Sequence, residues 1–461
     1  MPRPACPGCQ QRDQRIAELE AELERLRHQD DPNQRDKHRQ AHPFRRDKGS
    51  TQPKKPGRPK GHEADLRPTP SADQIDQVID VPLPDCPRCH VPLYDRGQVV
   101  QFQTDLPPIV PIVTQFKLGT GYCPGCGEYW QAHHPEQTSD AIGAAGNTLG
   151  PVVLTMAAEM KHRLGVSYRK ICDFLRTYCQ LKVCPAAFIR AEQRLADLAK
   201  PTFDLLIEAL RQSDVVHADE TGWRVGRQNA WLWVFSSKQA TVYAIRTGKG
   251  ARGHEVPQAI LGADFDGYLI VDGLASYDVL DVAKGRCNGH ILRRCKKLDD
   301  KVPPRERAHL EALSSLLKEA IDLASRRDEL AANQYHDRVE AVEDRLDAWL
   351  EANLERRRVS PELDRLDQHI RAHRGEWLVF LHKSAVPPTN NHAEQMLRPA
   401  VITRKVGGCN KNLLGALVHS MLASLMVTCH RQGKRFLDLA RKLWNHENPQ
   451  AVPIASLPDA G

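Results

Sequence analysis

Two short apolar runs constrain this chain more than anything else in it, and each ends in an aspartate. The first is Val215-Val216-His217-Ala218-Asp219, continued by Glu220-Thr221-Gly222-Trp223; the second is Tyr268-Leu269-Ile270-Val271-Asp272-Gly273. Apolar runs of this length read as buried strands. A carboxylate at the end of a buried strand is costly unless it is paired or holds a metal. A third carboxylate, Glu394, opens a helical stretch in Asn390-Asn391-His392-Ala393-Glu394-Gln395. Two strand-end aspartates and a helix-borne glutamate can converge on a pair of hard divalent cations. Each acid alone has a plainer explanation. A strand-end Asp is commonly a turn residue, and Asn391 as helix cap with Glu394 three residues later reads as a capping box.

The surrounding pattern supports convergence. Residues 230–235 and 241–245 read as two further strands joined by a hairpin at Ser236-Ser237-Lys238, and residues 254–261 read as a helix. Three antiparallel strands, a helix, then a strand returning beside the first is the order of a ribonuclease-H-like α/β core. In such a sheet the first and fourth strands are neighbours, which brings Asp219 and Asp272 side by side. Residues 303–374 are charged and rich in Leu, Glu, Arg and Ala, with no strand signal. They read as a helical insertion, because the stretch from Asp272 to Glu394 is too long for a loop in a compact domain. Residues 413–431 and 436–444 read as closing helices, and 446–461 as a tail.

At 461 residues the chain exceeds one core and divides into several segments. Residues 1–30 read as a short coiled coil or as a solvated amphipathic helix: Ile16, Leu19, Leu23 and Leu26 make a seam with Glu and Arg between them. Before it stands Cys6-Pro7-Gly8-Cys9, half of a zinc site; two parallel chains could complete four thiolates there. Residues 31–75 are a basic linker, polar and Pro-rich, and predicted to lack order. Within residues 33–62, Arg35, Lys37, Arg39, Arg45, Arg46, Lys48, Lys54, Lys55, Arg58 and Lys60 face only Asp36 and Asp47. That stretch accounts for the whole formal net charge of +7, which points to a polyanion partner, nucleic acid first. Around Arg58 and Lys60, Pro56-Gly57-Arg58-Pro59-Lys60 resembles an AT-hook, which lies in an A·T-rich minor groove; a generic basic linker touching phosphates is the plainer reading.

Residues 76–135 carry Cys86-Pro87-Arg88-Cys89 and Cys123-Pro124-Gly125-Cys126. Two such pairs present four thiolates, the tetrahedral set that suits structural Zn²⁺. Val99, Phe102, Leu106, Ile109, Val110, Ile112 and Phe116 between them predict the strands of a zinc ribbon. Residues 140–205 read as helices. Ser167 caps one, and another starts with Pro185 at its first position and ends near Leu198. With Arg169, Lys170, Arg190 and Arg194 this is compatible with a DNA-reading helix-turn-helix, or with a plain scaffold. No uninterrupted apolar run approaches a membrane span, and the first residues lack a signal-peptide core. A cytoplasmic protein, nucleoid-associated when bound to DNA, is the expectation.

The motifs His217-Ala218-Asp219-Glu220-Thr221-Gly222-Trp223, Ile270-Val271-Asp272-Gly273 and Asn390-Asn391-His392-Ala393-Glu394-Gln395, with Cys287-Asn288-Gly289-His290 before Arg293-Arg294, resemble those of a bacterial insertion-sequence transposase of the DDE class, insertion sequence family sixty-six. The likeness runs through nearly the whole chain. It implies Asp219, Asp272 and Glu394 as a catalytic triad holding two Mg²⁺, with Mn²⁺ able to substitute. It implies His290 and Cys287 as accessory groups. It also implies DNA, both element ends and target, as the partner of a homo-dimer or higher synaptic oligomer, with accessory proteins of the element possible. Arg398, Arg404 and Lys405 are candidates for DNA phosphates. After Glu394 the chain departs from the family's Arg-Arg-Lys-Asn-Trp-type run and reads Ile402-Thr403-Arg404-Lys405-Val406-Gly407-Gly408-Cys409-Asn410-Lys411. The rival readings are a DNA-binding derivative without activity and a nuclease that cuts without joining.

Overall fold

The computed structural model describes residues 67–94, 96–354, 360–444 and 450–460. The expected coiled coil, most of the basic linker with Arg58 and Lys60, and Cys6 and Cys9 lie outside the described residues. The chain divides into two units, Met1–Val110 and Pro111–Gly461.

In the first unit the described residues hold a 3-10 turn, Ala72–Gln74, and a tight turn at Cys86 and Cys89. There His90 adopts a φ of 57° and its N–H donates to Cys86 O at 2.8 Å. The second unit opens with an antiparallel hairpin, β1 (Thr120–Cys123) and β2 (Glu128–Gln131). Its turn repeats the same geometry: Gly127 has a φ of 75° and donates to Cys123 O at 2.8 Å. Between Val99 and Phe116 the chain runs without strands: Val99 is 97% exposed and Ile112 93%, while Phe116 lies with its ring centroid 5.0 Å from that of His134.

Three helices follow: α1 (Pro151–His162), α2 (Tyr168–Tyr178) and α3 (Pro185–Arg211). Ser167 caps α2 by accepting from the Lys170 N–H, as its sequence position predicts. The third helix, expected to stop near Leu198, runs 27 residues and continues through Pro201. A proline there removes one helical hydrogen bond, but buried Ala199, Thr202, Leu206 and Leu210 keep the helix packed on both sides of it. The expected boundary at residue 205 therefore falls inside one continuous helix.

The sheet comprises β3 (Val215–Val225), β4 (Gln228–Ser236), β5 (Thr241–Thr247), β6 (Tyr268–Val271) and β7 (Lys284–Arg286), in the order β5-β4-β3-β6-β7. Strands β3, β4 and β5 are antiparallel; helix α4 (Glu255–Leu261) then returns the chain to β6, which runs parallel to β3. Strand β7 pairs parallel with β6. The sequence places Asp219 at a strand end, but the structure places it within β3. Antiparallel pairing with β4 continues from His217↔Ser236 to Val225↔Gln228, carrying the strand onward. What stops near Asp219 is the parallel pairing with β6, which spans Val215↔Tyr268 to His217↔Ile270. The same register carried forward sets Asp219 level with Asp272.

Alternation along β3 assigns its faces. Val216 and Ala218 enter one core with α1–α3, while Trp223 and Val225 enter another on the opposite face. After β7 come α5 (Asn288–Asp299), α6 (Pro304–Ser325), α7 (Ala332–Leu354), α8 (Pro361–Ala372) and the short α9 (Val379–His382). They share a core that also takes Ile270 of β6. The chain then forms α10 (Asn391–Val406), α11 (Leu413–Arg431) and α12 (Phe436–Trp444). Among the described residues α11 alone is long and apolar enough to cross a membrane, yet 72% of its apolar window is buried in the protein. It covers the sheet edge: Ser424 Oγ accepts the Tyr243 N–H at 2.8 Å and Thr428 Oγ1 accepts the Thr241 N–H at 3.0 Å. An open edge strand would otherwise expose such donors.

A buried polar cluster joins α1–α3 to α11. His162 Nε2 lies 3.0 Å from Glu192 Oε2, its Nδ1 lies 2.8 Å from His419 Nδ1, and Tyr168 donates its hydroxyl to Glu192. Trp223 stacks on His419 with ring centroids 5.6 Å apart.

Candidate active site

Three elements deliver the acids that the sequence singles out. Strand β3 carries Asp219, the loop after β6 carries Asp272, and the first turn of α10 carries Glu394. Asp219 Oδ1 accepts the Glu220 N–H at 2.8 Å, and Asp272 Oδ1 accepts the Leu274 N–H at 2.9 Å. The Asp219 carboxyl is pushed up to about 8, first by burial and then by the negative charges of Glu220, Asp272 and Glu394. One spot thus gathers carboxylates whose repulsion a cation would relieve.

Glu394 faces a cation already. Arg293 Nη2, from α5, donates to its Oε1 at 2.7 Å and holds its carboxyl below the usual range. The same Nη2 lies 3.0 Å from His290 Nε2, which is 3.7 Å from Glu394 Oε1. Burial first, then Arg293, lowers the His290 pKa below the usual imidazole value. Among the described residues no three His, Cys, Asp or Glu side chains are gathered closely enough to hold a metal.

The capping box expected at Asn391 and Glu394 is not formed. The cap is Asn390, and its side chain makes no bond to its own helix. It crosses to β3 instead: Nδ2 donates to Ala218 O at 2.7 Å, and Oδ1 lies 3.0 Å from His217 Nδ1. Cys287 is buried, and its Sγ accepts the Asn390 N–H at 3.1 Å. It therefore acts on the chain leading to Glu394.

Asp219 and Glu220, adjacent on a strand, must face opposite sides of the sheet. Glu220 Oε1 receives Arg252 Nη2 at 2.7 Å and Nε at 3.0 Å, and the Arg252 guanidinium lies 4.2 Å from the centroid of Trp231. Strand alternation alone could have found this second acid. Of the expected DNA contacts, Arg398 and Lys405 are exposed on α10. Arg404 instead bonds Thr221 Oγ1 at 2.9 Å and the Gly222 carbonyl, so it braces β3.

Comparison with known protein families decides the identity. The model described as Transposase IS66 family matches residues 146–417, from just before α1 into α11. The chain belongs to that family. No curated protein matches it. As a transposase it acts on DNA and uses divalent metal in its chemistry. Carboxylate oxygens are the preferred donors of hard cations, so the donor types of Asp219, Asp272 and Glu394 suit such a use.

Proposed function

We propose that this transposase binds the ends of an insertion sequence, cuts at the 3′ end and joins the freed strand to target DNA. The observation that carries the reading is the β3–β6 register, which sets Asp219 level with Asp272, together with the delivery of Glu394 by the first turn of α10. The sheet order, with β3 between β4 and β6, supports a ribonuclease-H-like core. Asp219, Asp272 and Glu394 would hold two Mg²⁺, or Mn²⁺ in their place. Such a pair lowers the pKa of a water and stabilises a leaving 3′ oxygen. In the first step a water oxygen bonds to phosphorus while the bond to the 3′ oxygen breaks, and that oxygen leaves as a hydroxyl. In the second, this hydroxyl attacks a target phosphodiester in line and displaces the target's own 3′ oxygen.

The chain's other residues orient the acids and the DNA. Arg293 keeps Glu394 ionised, and its half-exposed guanidinium can pass to a phosphate. Arg398 and Lys405 neutralise phosphates beside α10, and the basic residues 33–62 add contacts that carry no sequence information. Each Cys-x-x-Cys turn offers two thiolates to Zn²⁺, so replacing either pair by Ser should lower the zinc content of the purified protein.

A strand-transfer assay with labelled element ends and Mg²⁺ or Mn²⁺ tests the reading. Joined product is expected. Cut product alone would make the protein a nuclease, and neither would make it a DNA-binding derivative.

A further inference from the structure

Asn390 occupies the cap of α10 and declines the usual work of a cap. An asparagine there ordinarily accepts a hydrogen bond from its own helix. Here the side chain makes no such bond, and the residue is 1% exposed. All its polar groups reach the three strands of chain that carry the acids. Its Nδ2 donates to the carbonyl of Ala218, the residue before Asp219. Its own carbonyl accepts the Glu394 N–H at 3.2 Å. Its N–H donates to Cys287 Sγ, and the Cys287 N–H donates at 2.9 Å to the carbonyl of Val271, the residue before Asp272. On the remaining side, His217 Nδ1 donates to Oδ1, because Nδ2 is already turned to Ala218.

We propose that Asn390 is the positioning residue that sets the spacing of Asp219, Asp272 and Glu394. It touches neither substrate nor reacting atoms. It fixes β3, the β6 loop and α10 against one another at the points where each acid emerges. This rests on the reading that the three acids share divalent metal. Mg²⁺ demands near-ideal octahedral geometry, so its affinity should respond to small errors of spacing that leave the fold intact.

The test titrates full-length protein with Mg²⁺ alone and with Mn²⁺ alone by calorimetry, beside thermal melting. Wild type should bind both, and Asp219→Asn should lose both. For Asn390→Ala, Mg²⁺ affinity should fall by about tenfold or more, the range seen when groups behind metal ligands are removed. Mn²⁺ affinity should fall less, with a cooperative melt retained. A second arm spares Asn390: Cys287→Ala should weaken Mg²⁺ binding, while Cys287→Ser, whose hydroxyl oxygen can accept the same N–H, should restore it. If Asn390→Ala does not fold, the cysteine pair decides. Asp219→Asn losing metal while Asn390→Ala and Cys287→Ala bind as wild type would overturn the positioning role and leave the metal site standing. Asp219→Asn binding as wild type would overturn both.

Discussion

Glu192 and Asp219 are both acids largely withdrawn from water, yet their surroundings are opposite. Glu192, on α3, receives His162 and the Tyr168 hydroxyl, and Lys161 lies close enough for its charge to be felt. Asp219 receives one backbone N–H, and burial with the like charges of Glu220, Asp272 and Glu394 outweighs the attraction of Arg293. The first arrangement meets a buried acid with donors from the chain itself, both at Oε2, while Oε1 has no hydrogen-bond partner among the described residues. The second opposes the ionisation of its acid, which costs stability and suits a site where something from outside supplies counter-charge.

The sharpest break between the two regions comes from neutralising the acids. Asp219→Asn, Asp272→Asn or Glu394→Gln should abolish cleavage and joining to background while retaining DNA binding. Asp219→Asn should also melt no lower than wild type, since it removes a repelled charge. A variant of the three that keeps normal strand transfer would show its acid lies outside the reaction. Glu192→Ala should do the reverse. It should destabilise by about 1–3 kcal/mol, the scale for leaving buried hydrogen-bonding groups without their partner, read as a shifted denaturant midpoint, with unchanged cutting per folded molecule.

A smaller effect should follow from Arg293→Gln. Without the guanidinium competing for Glu394, Mn²⁺ alone should bind severalfold more tightly in the absence of DNA. Weaker or equal binding in calorimetry would show that Arg293 assists the acid instead of competing for it.

The smallest effect should appear with pH in the Glu192 cluster. Burial, then His162 and Lys161, holds the His419 pKa well below 6.5. The folded form therefore resists a proton that the unfolded chain accepts near 6.5. Stability from this group is complete above that pH and declines as pH falls below it, by at most about 1.4 kcal/mol per unit for one proton. Denaturation at pH 7.5 and 5.5 should show the decline, and His419→Gln should flatten it.

Much of this was legible along the chain. The apolar runs give β3 and β6, and residues 413–431 and 436–444 become α11 and α12 with those bounds. The extension of β3 was hidden, because Glu220-Thr221-Gly222 has the composition of a turn while β4 keeps pairing through it. Strand β7 was hidden too. It is three residues long, and its Arg286 is charged yet wholly buried, paired with Asp278 and Glu376. Only those distant acids make it a strand-worthy residue. Asn390 was invisible for the same reason: its role depends on Ala218, His217 and Cys287, far away in the chain.

The unbroken helix α3 works as a gauge. At about 1.5 Å per residue, its 27 residues span about 40 Å. It packs along that length on α1, α2, α4, α11, α12 and β5. One residue inserted within it would rotate everything beyond the insertion by about 100° and advance it about 1.5 Å, so the elements packed on its two ends hold their register with one another only at this length.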